Sequence, residues 1–164
     1  MHKKLFLIPL VALAGLVMTG CFKNPPADNS NCVANNTGVP TAAEVASVQA
    51  YLNAHAISAT QDPGGFFYII LNPGTGANPS PASTVTVKYT GSLENGNVFD
   101  QNLSGAVFPL QQLILGWQKG LPLIKKGGSI KLFLPPSLGY GCQSVGSIPP
   151  GSNLIFSIDL VDVQ

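Results

Sequence analysis

Four short motifs between Val87 and Pro150 decide the fold of this chain. In chain order they are V-K-Y-T-G (Val87–Gly91), V-F-D (Val98–Asp100), I-L-G-W (Ile114–Trp117) and L-G-Y-G…I-P-P (Leu138–Pro150). Most of them place an aromatic residue beside or near a glycine, and only one contains a carboxylate. This inventory is typical of an apolar pocket with a few hydrogen-bonding groups. It does not match a site for acid–base or metal chemistry, which needs several ionisable side chains.

The amino-acid composition excludes several classes of function. Only 9% of the 164 residues are charged, against about 25% in typical soluble proteins, and the eight cationic residues are all lysine. A surface that tracks nucleic-acid phosphates needs clustered lysine and arginine, so we expect no nucleic-acid partner. His2 and His55 are the only histidines, which leaves little material for a histidine triad or a zinc site. We therefore expect neither a metal nor a cofactor.

The beginning of the chain is similar to a lipoprotein signal peptide. Two lysines at positions 3 and 4 precede an apolar run from Leu5 to Met18, and the stretch Met18–Cys21 resembles a lipoprotein processing site. We expect residues 1–20 to be removed and the Cys21 thiol to carry a lipid that binds the protein to a membrane. One alternative is a transmembrane anchor, although the run is shorter than the about 20 residues that span a bilayer. A secreted protein with a free Cys21 is the other alternative.

Two further cysteines, Cys32 and Cys142, are candidates for a disulfide bond. In an oxidising envelope compartment, a pair of cysteines left in the mature chain suggests such a bond. It would tie the N-terminal extension to the loop that follows Tyr140. Two free thiols are the alternative, because the sequence does not show whether the two Cα atoms lie within reach of each other.

The segments before the motifs predict a tether and then a helix. Residues 21–40 are rich in Asn, Pro, Ser and Gly and predict a flexible tether. Thr41 and Glu44 form a T-x-x-E capping box, which predicts a helix from Thr41 to His55. We interpret residues 41–82 as this helix and an extension, and residues 83–164 as the main domain.

The rest of the chain predicts an antiparallel sheet with one short helix. Period-two alternation predicts strands over the ranges Thr84–Tyr89, Ser129–Leu134 and Leu154–Val163. The short run Phe66–Leu71, which follows two glycines, is a further strand candidate. Asn95-Gly96 predicts a type I′ hairpin turn, in which both residues have positive φ. A short helix is predicted over Gly116–Lys126, with Gly127 after its end. Together these elements indicate an α+β fold.

The order and spacing of the four motifs resemble those of the FKBP-type peptidyl-prolyl isomerases. The resemblance covers Val85 to Val163, about half of the chain. It implies an FKBP-like curved antiparallel β-sheet wrapped around one short α-helix, here with an N-terminal helical extension. It also implies peptidyl-prolyl cis-trans isomerase activity on proline-containing polypeptides. The macrolide inhibitors of the family are candidate ligands.

The resemblance assigns pocket roles to nine residues: Tyr89, Phe99, Asp100, Leu113, Ile114, Trp117, Tyr140, Ile148 and Phe156. Trp117 would form the floor under a proline ring, and the alternative is an ordinary core tryptophan. Asp100 and Tyr140 are the candidate catalytic residues, since the Tyr140 hydroxyl would bind a carbonyl of the substrate. The alternative for Asp100 is a solvated acid in a turn. The backbone N–H of Ile114 would meet another substrate carbonyl, and Ile148 begins a stiff proline-containing loop over the site.

Two segments depart from the family pattern. Between Asp100 and Phe108 the family often carries an arginine that pairs with the aspartate and an aromatic residue on the pocket wall. This chain has Gln101–Ala106 there and contains no arginine, so we expect Asp100 to lack an ion-pair partner and one wall to be open. The loop from Gly141 to Ile148 is also short and contains Cys142.

The predicted chemistry needs no ionisable catalyst. Rotation about an X–Pro bond faces a resonance barrier of about 18–20 kcal/mol and breaks no bond, so it requires neither a nucleophile nor a metal. We therefore expect an isomerase that assists the folding of exported proteins in a bacterial cell envelope, anchored at the outer membrane or on the periplasmic side. The alternative is an FKBP-like binding or chaperone module with little turnover, and a structural surface protein on the same scaffold is the third interpretation.

Overall fold

The computed structural model describes residues 38–164. The predictions for the signal peptide, for the lipid on Cys21, for Cys32 and for most of the tether lie outside the described residues. None of the helices in residues 38–164 is long and apolar enough to cross a membrane.

Helix α1 extends from Ala42 to Ala54 and begins with the predicted capping box. The Glu44 N–H donates to the Thr41 hydroxyl, and the Thr41 N–H donates to the Glu44 carboxylate at 2.7 Å. Two N–H groups that the first turn of a helix leaves without partners are satisfied in this way. His55 follows the helix as its C-cap. The predicted helix over Thr41–His55 is therefore confirmed.

Six antiparallel strands form one sheet in the described part of the chain. They are β1 (Thr60–Gln61), β2 (Phe67–Asn72), β3 (Thr84–Leu93), β4 (Val98–Pro109), β5 (Ser129–Leu134) and β6 (Leu154–Val163), in the spatial order β1-β2-β5-β6-β3-β4. The strands predicted over Ser129–Leu134 and Leu154–Val163 have these bounds, whereas β3 is longer than predicted. Because β2 pairs with β5, the segment 41–82 contributes a strand to the same sheet as residues 83–164.

The hairpin between β3 and β4 differs from the predicted type I′ turn. Gly96 has a φ of 85°, but Asn95 does not have a positive φ. The Leu93 N–H donates to the Asn97 carbonyl, and the Gly96 N–H donates to the Leu93 carbonyl. The loop is thus longer than two residues, and only Gly96 needs the left-handed conformation. The predicted turn type is wrong because a longer loop relieves Asn95 of that strain.

Strand β4 is interrupted by a bulge. Val87 of β3 lies opposite Ala106, yet Tyr89, two residues later, lies opposite Asn102, so β4 holds two extra residues here. Gly105 absorbs the bend with a φ of 114°. The Asn102 side chain stabilises the bulge because it accepts hydrogen bonds from the backbone N–H groups of Ser104 and Gly105. Bulges of this kind bend a strand and redirect its side chains.

Helix α2 is shorter than the predicted helix. It extends only from Leu115 to Gly120 and passes into a 3-10 turn at Leu121–Leu123. The prediction that it reaches Lys126 is wrong, because Pro122 has no N–H for the helical ladder and its ring crowds the preceding turn. The N–H groups of Lys125 and Lys126 donate instead to carbonyls of the loop between β2 and β3.

The sheet packs a helix on each face. On one face, α2 joins the main core, in which Trp117 and Leu121 pack with inward residues of β3, β5 and β6. On the other face, Val48 and Leu52 of α1 pack with Phe67, Phe133 and Ile155. The predicted α+β fold, a curved sheet around one short helix with an N-terminal helical extension, is confirmed.

Candidate functional site

A cavity of 210 Å³ opens on the α2 side of the sheet. Six aromatic side chains, two aliphatic side chains and one carboxylate line it, namely Tyr89, Phe99, Asp100, Phe108, Leu113, Ile114, Trp117, Tyr140 and Phe156. Eight of the nine predicted pocket residues are therefore brought together. The cavity is smaller than the about 300–1,000 Å³ of pockets for drug-sized ligands. Its size suits one apolar side chain.

Trp117 in the short helix α2 forms the floor of the cavity. Its side chain is 4% exposed, and its ring meets the rings of Tyr89 and Phe156 edge-on, at centroid distances of 5.1 and 5.3 Å. Edge-to-face pairs of this kind are favourable because the positive edge of one ring faces the negative face of the other. The buried indole N–H has no hydrogen-bond partner in residues 38–164.

Glycines let α2 lie close to the sheet. A Cβ atom on Gly120 would lie 2.7 Å from a methyl carbon of Leu132, and one on Gly116 would collide with Leu134. The glycine in the I-L-G-W motif is thus required by close packing. It brings the next residue, Trp117, down onto the sheet.

A third glycine keeps the aromatic wall in place. Phe99 and Phe156 meet edge-on at a centroid distance of 5.5 Å. A Cβ atom on Gly91 would lie 2.6 Å from the Phe99 ring and 2.7 Å from the Phe156 ring. The final glycine of V-K-Y-T-G therefore leaves the space that both rings occupy.

Phe108 lines the cavity, although it was not among the predicted pocket residues. It lies beyond the β4 bulge, opposite Val85, and its ring centroid is 6.4 Å from that of Tyr89. The wall that was expected to be open therefore carries an aromatic ring. Val85 and Tyr89 lie on the core face of β3, so pairing β4 against them could have identified Phe108. The bulge concealed that register, because it shifts the alternation along β4.

The polar rim of the cavity consists of Asp100, Tyr89 and Tyr140. The Tyr89 hydroxyl donates to Asp100 Oδ2 at 2.7 Å. Burial of the hydroxyl, the hydrogen bond to Asp100 and the nearby negative charge raise the pKa of Tyr89 to about 12. Burial and the charge of Asp100 also raise the pKa of Tyr140. Both hydroxyls consequently stay protonated at neutral pH and are hydrogen-bond donors.

Asp100 has no cationic partner in residues 38–164, where the structure records one ion pair, between Lys126 and Asp162. The partner of Asp100 is the Tyr89 hydroxyl.

Two donors at the cavity make no hydrogen bond within the described part of the chain. One is the Tyr140 hydroxyl, and the other is the backbone N–H of Ile114, the N-cap residue of α2. The turn before α2 is held by Gln118, whose side-chain amide donates to the Leu113 carbonyl at 2.7 Å. The cavity therefore combines apolar walls with donors that are available to a ligand.

Ile148 lies elsewhere than predicted. It is 5% exposed, packs in the main core and does not line the cavity. Its backbone exchanges two hydrogen bonds with Val145, which closes a tight turn. This turn directs the Ile148 side chain into the core. The prediction that it contacts a substrate is corrected accordingly.

Cys142 takes part in a disulfide bond. The other two cysteines, Cys21 and Cys32, lie outside the described residues, so the pairing with Cys32 stays a prediction. Cys142 is two residues beyond Tyr140, and the neighbouring Gly141 carbonyl accepts a hydrogen bond from the Gly151 N–H at 2.9 Å. The backbone just after Tyr140 is therefore held by this hydrogen bond and by the disulfide bond of Cys142.

A larger cavity of 610 Å³ lies between the start of α1 and the turn before β2. Backbone and small side chains form most of its wall, with Phe67 as its aromatic residue and Lys119 as its charged one. Its described lining lacks the cluster of aromatic side chains that surrounds the smaller cavity. No three His, Cys, Asp or Glu side chains come together as a possible metal site anywhere in residues 38–164.

Comparison with known proteins relates the cavity to one family. The family model of FKBP-type peptidyl-prolyl cis-trans isomerases matches residues 76–161 of the 164. A probable FKBP-type peptidyl-prolyl cis-trans isomerase of Haemophilus influenzae is 47% identical over 104 residues, covering 61% of this chain and 43% of that protein. The outer membrane protein MIP of Legionella longbeachae is 43% identical over 106 residues, covering 62% of this chain and 46% of that protein. The chain thus spans less than half the length of these two relatives.

A solved structure agrees with the sequence matches. The crystal structure of FkpA from Escherichia coli superposes with a TM-score of 0.68 and 38% identity, covering 75% of this chain and 60% of that one. The segment that the family model matches contains all four motifs, because it begins before Val87 and ends after Pro150. The chain belongs to the family of FKBP-type peptidyl-prolyl cis-trans isomerases.

Proposed function

We propose that this protein is a peptidyl-prolyl cis-trans isomerase that acts on proline-containing polypeptides. The observation that carries the proposal is the cavity with Trp117 as its floor, with aromatic walls and with two donors that have no partner in residues 38–164, the Ile114 N–H and the Tyr140 hydroxyl. A proline ring is apolar and of the size of one side chain, and the peptide carbonyls beside it are acceptors. The cavity and its donors match both features.

The apolar cavity favours the twisted amide over the planar one. In the planar amide, resonance gives the C–N bond partial double-bond character and a large dipole. At the transition state the bond is twisted, the nitrogen is pyramidal and the dipole is smaller. A water-poor aromatic environment therefore destabilises the planar form relative to the twisted form. A rate enhancement of about ten-thousandfold needs about 5.5 kcal/mol of this preference.

The polar rim orients the polypeptide. Tyr140 donates its hydroxyl to one substrate carbonyl, and the Ile114 N–H donates to another. Asp100 holds the Tyr89 hydroxyl at 2.7 Å and places a negative charge at the edge of the cavity. In this proposal Asp100 and Tyr140 are the catalytic residues, while Tyr89, Phe99, Leu113, Ile114, Trp117 and Phe156 bind the substrate.

An isomerisation assay with a proline-containing peptide tests the proposal. We expect the purified protein to accelerate the cis-to-trans conversion in proportion to its concentration. The Tyr140→Phe/Asp100→Ala double variant should lower kcat/KM at least about tenfold, since each group provides a contact near the reacting amide. The Ser47→Ala variant, on the far face of the sheet, is the matched control. If the peptide isomerises no faster with the wild-type protein than in buffer alone, the proposed enzymatic activity is refuted.

A binding or chaperone module with little turnover is the second candidate function. The observation that favours it is the segment Gln101–Ala106, which lacks the arginine that the family often pairs with the aspartate. Trp117 fluorescence reports binding directly, because the ring forms the cavity floor. A proline peptide or a macrolide inhibitor that quenches Trp117 without any acceleration of isomerisation would favour this candidate.

We also propose that the protein is a lipoprotein of the bacterial envelope. Residues 1–20 would be the signal peptide, Cys21 would carry the lipid, and residues 21–40 would be a tether to the folded part. The substrates of the isomerase would be exported proteins. The sequence Met18–Cys21 and the name of the Legionella relative, an outer membrane protein, support this. Mass spectrometry of the membrane-bound protein should show a diacylglycerol on Cys21, and Cys21→Ser should release the protein. An unmodified Cys21 in the envelope fraction would contradict the lipid anchor.

A further inference from the structure

A carboxylate of helix α1 is bonded to the segment that carries Tyr140. The Ser137 hydroxyl lies 2.7 Å from Glu44 Oε1 and 2.8 Å from Oε2, and the Ser137 N–H donates to Oε1 at 3.0 Å. The two residues are 93 positions apart in the chain. In the capping box, the Glu44 carboxylate accepts a hydrogen bond from the Thr41 N–H. The hydrogen bonds from Ser137 are additional to this role.

This contact satisfies polar groups that would otherwise be buried without partners. Ser137 is 9% exposed, so its N–H and hydroxyl have little access to water. Buried donors without acceptors are costly, and bonds to a charged acceptor are stronger than neutral ones. Burial by itself raises the pKa of Glu44, but the hydrogen bonds from Ser137 and Thr41 together outweigh burial and lower it. The group is therefore a carboxylate at neutral pH.

Hydrogen bonds connect the turn that contains Ser137 to Gly139 and Gly141, the two neighbours of Tyr140 in the chain. Ser137 is the middle residue of the 3-10 turn Pro136–Leu138. The Pro136 carbonyl accepts hydrogen bonds from the N–H groups of Gly139 and Gly141, each at 2.9 Å. The Tyr140 hydroxyl makes no hydrogen bond within residues 38–164, so its position depends on this backbone.

Helix α1 is held on the sheet independently of Glu44. Val48 and Leu52 are each 1% exposed and pack against the sheet. Ser47 accepts a hydrogen bond from the Asn153 side chain at 2.9 Å. Glu44 thus projects from a fixed platform toward the loop that bears Tyr140.

We propose that Glu44 is a positioning residue for isomerisation, which acts through Ser137 to fix the backbone that carries Tyr140. This rests on the proposed function, in which Tyr140 binds a substrate carbonyl. Helix α1 is then part of the working isomerase, although it lies on the face of the sheet opposite the cavity.

Three variants separate positioning from simple stabilisation. Glu44→Gln keeps a residue that fits the third position of a capping box, but its NH2 group replaces one of the two carboxylate oxygens and cannot accept a hydrogen bond. The variant therefore cannot accept all the bonds that Thr41 and Ser137 donate to the two oxygens of Glu44. Ser137→Ala removes the other end of the contact. Ser47→Ala is the matched control, because it removes an α1 hydrogen bond that leads away from Tyr140. We expect Glu44→Gln and Ser137→Ala each to lower kcat/KM about fivefold, and Ser47→Ala to leave it unchanged.

A double-mutant cycle with Tyr140→Phe provides the decisive readout. If Glu44 acts through the Tyr140 hydroxyl, Glu44→Gln should cause no further loss of kcat/KM in the Tyr140→Phe background. An equal loss in both backgrounds would overturn the proposal, as would full activity of Glu44→Gln.

Amide hydrogen exchange tests the same contact without activity. Exchange at Gly139 and Gly141 should accelerate at least about threefold in Glu44→Gln and remain unchanged in Ser47→Ala. If the wild type does not isomerise the peptide, the proposed function fails, and exchange alone decides whether Glu44 holds the loop. Unchanged exchange in Glu44→Gln would overturn the positioning role.

Discussion

The two faces of the sheet use their helices in opposite ways. On one face, α1 fills the surface with aliphatic side chains, and its polar side chains Glu44 and Ser47 are bonded to the domain. On the other face, α2 leaves a cavity of 210 Å³, with donors at Ile114 and Tyr140 that have no partners in the described part of the chain. The difference indicates that the α1 face mainly stabilises the fold, whereas the α2 face is available to a ligand. Substitutions on the two faces should therefore separate stability from activity.

The largest expected effect comes from emptying the packed face or the cavity floor. Leu52→Ala should lower the free energy of unfolding by about 2–5 kcal/mol, because it leaves a hole beneath α1, and should largely preserve kcat/KM of the folded protein. Trp117→Leu should lower kcat/KM at least about tenfold, because the floor of the cavity is lost. Denaturant unfolding and peptide isomerisation on both variants check this pair. Equal losses of activity would break the distinction between the faces.

Loss of the disulfide bond should affect the cavity face. Reduction of the Cys142 disulfide should lower the free energy of unfolding by about 2–4 kcal/mol, because the unfolded chain gains freedom. It should also accelerate amide exchange in the loop around Tyr140 more than in α1. Alkylation with and without reductant, followed by mass spectrometry, identifies the partner. Two alkylatable thiols at Cys32 and Cys142 in untreated protein would contradict the predicted pairing.

Gly91→Ala should disturb the aromatic wall. The new methyl group would overlap the rings of Phe99 and Phe156, so we expect a loss of about 1–3 kcal/mol in unfolding free energy and weaker peptide binding. Ser92→Ala, the adjacent position, is the control. Phe99→Leu added to Gly91→Ala should recover part of the stability, since it removes one of the two clashing rings. If Gly91→Ala alone is as stable and active as the wild type, the close packing has no role.

The smallest expected effect is a pH dependence from Glu44. Its pKa is lower in the folded protein than its usual value of 4.5, so the unfolded chain binds the proton more tightly. The stabilisation is present above pH 4.5 and is lost as the pH falls through the lowered pKa. We expect less than about 1 kcal/mol, because solvent screens a half-buried carboxylate. Thermal unfolding from pH 7 to pH 3 should show a steeper loss for wild type than for Glu44→Gln, and parallel curves would contradict this.

The sequence was most informative where local chemistry decides the structure. The capping box at Thr41 and Glu44 needs only neighbouring residues, and the helix it predicted is present. Most of the motif aromatics could be assigned together because they lie beside or near a glycine in the sequence, and close packing requires the glycines at positions 91 and 116. Eight of the nine predicted residues consequently line one cavity.

The errors arose where distant parts of the chain decide the structure. The bulge in β4 concealed that Phe108 faces the cavity, and the tight turn with Val145 directs Ile148 into the core. Helix α2 ends early because Pro122 interrupts its hydrogen bonds, although two lysines and a glycine after it had suggested a later end. The contact between Glu44 and Ser137 was invisible for the same reason, since neither residue has a local signal for the other.

The β4 bulge has a consequence for the solubility of the protein. Strand β4 lies at the border of the sheet and offers its outer backbone groups to any other extended chain. Leu103 and Val107 on this border are 66% and 61% exposed, and no charged side chain lies between Asp100 and Lys119 to repel a neighbour. Within residues 38–164, the kink at Leu103–Gly105 and the terminal Pro109 interrupt such pairing. A straightened β4 would therefore expose a flat apolar ribbon that favours aggregation.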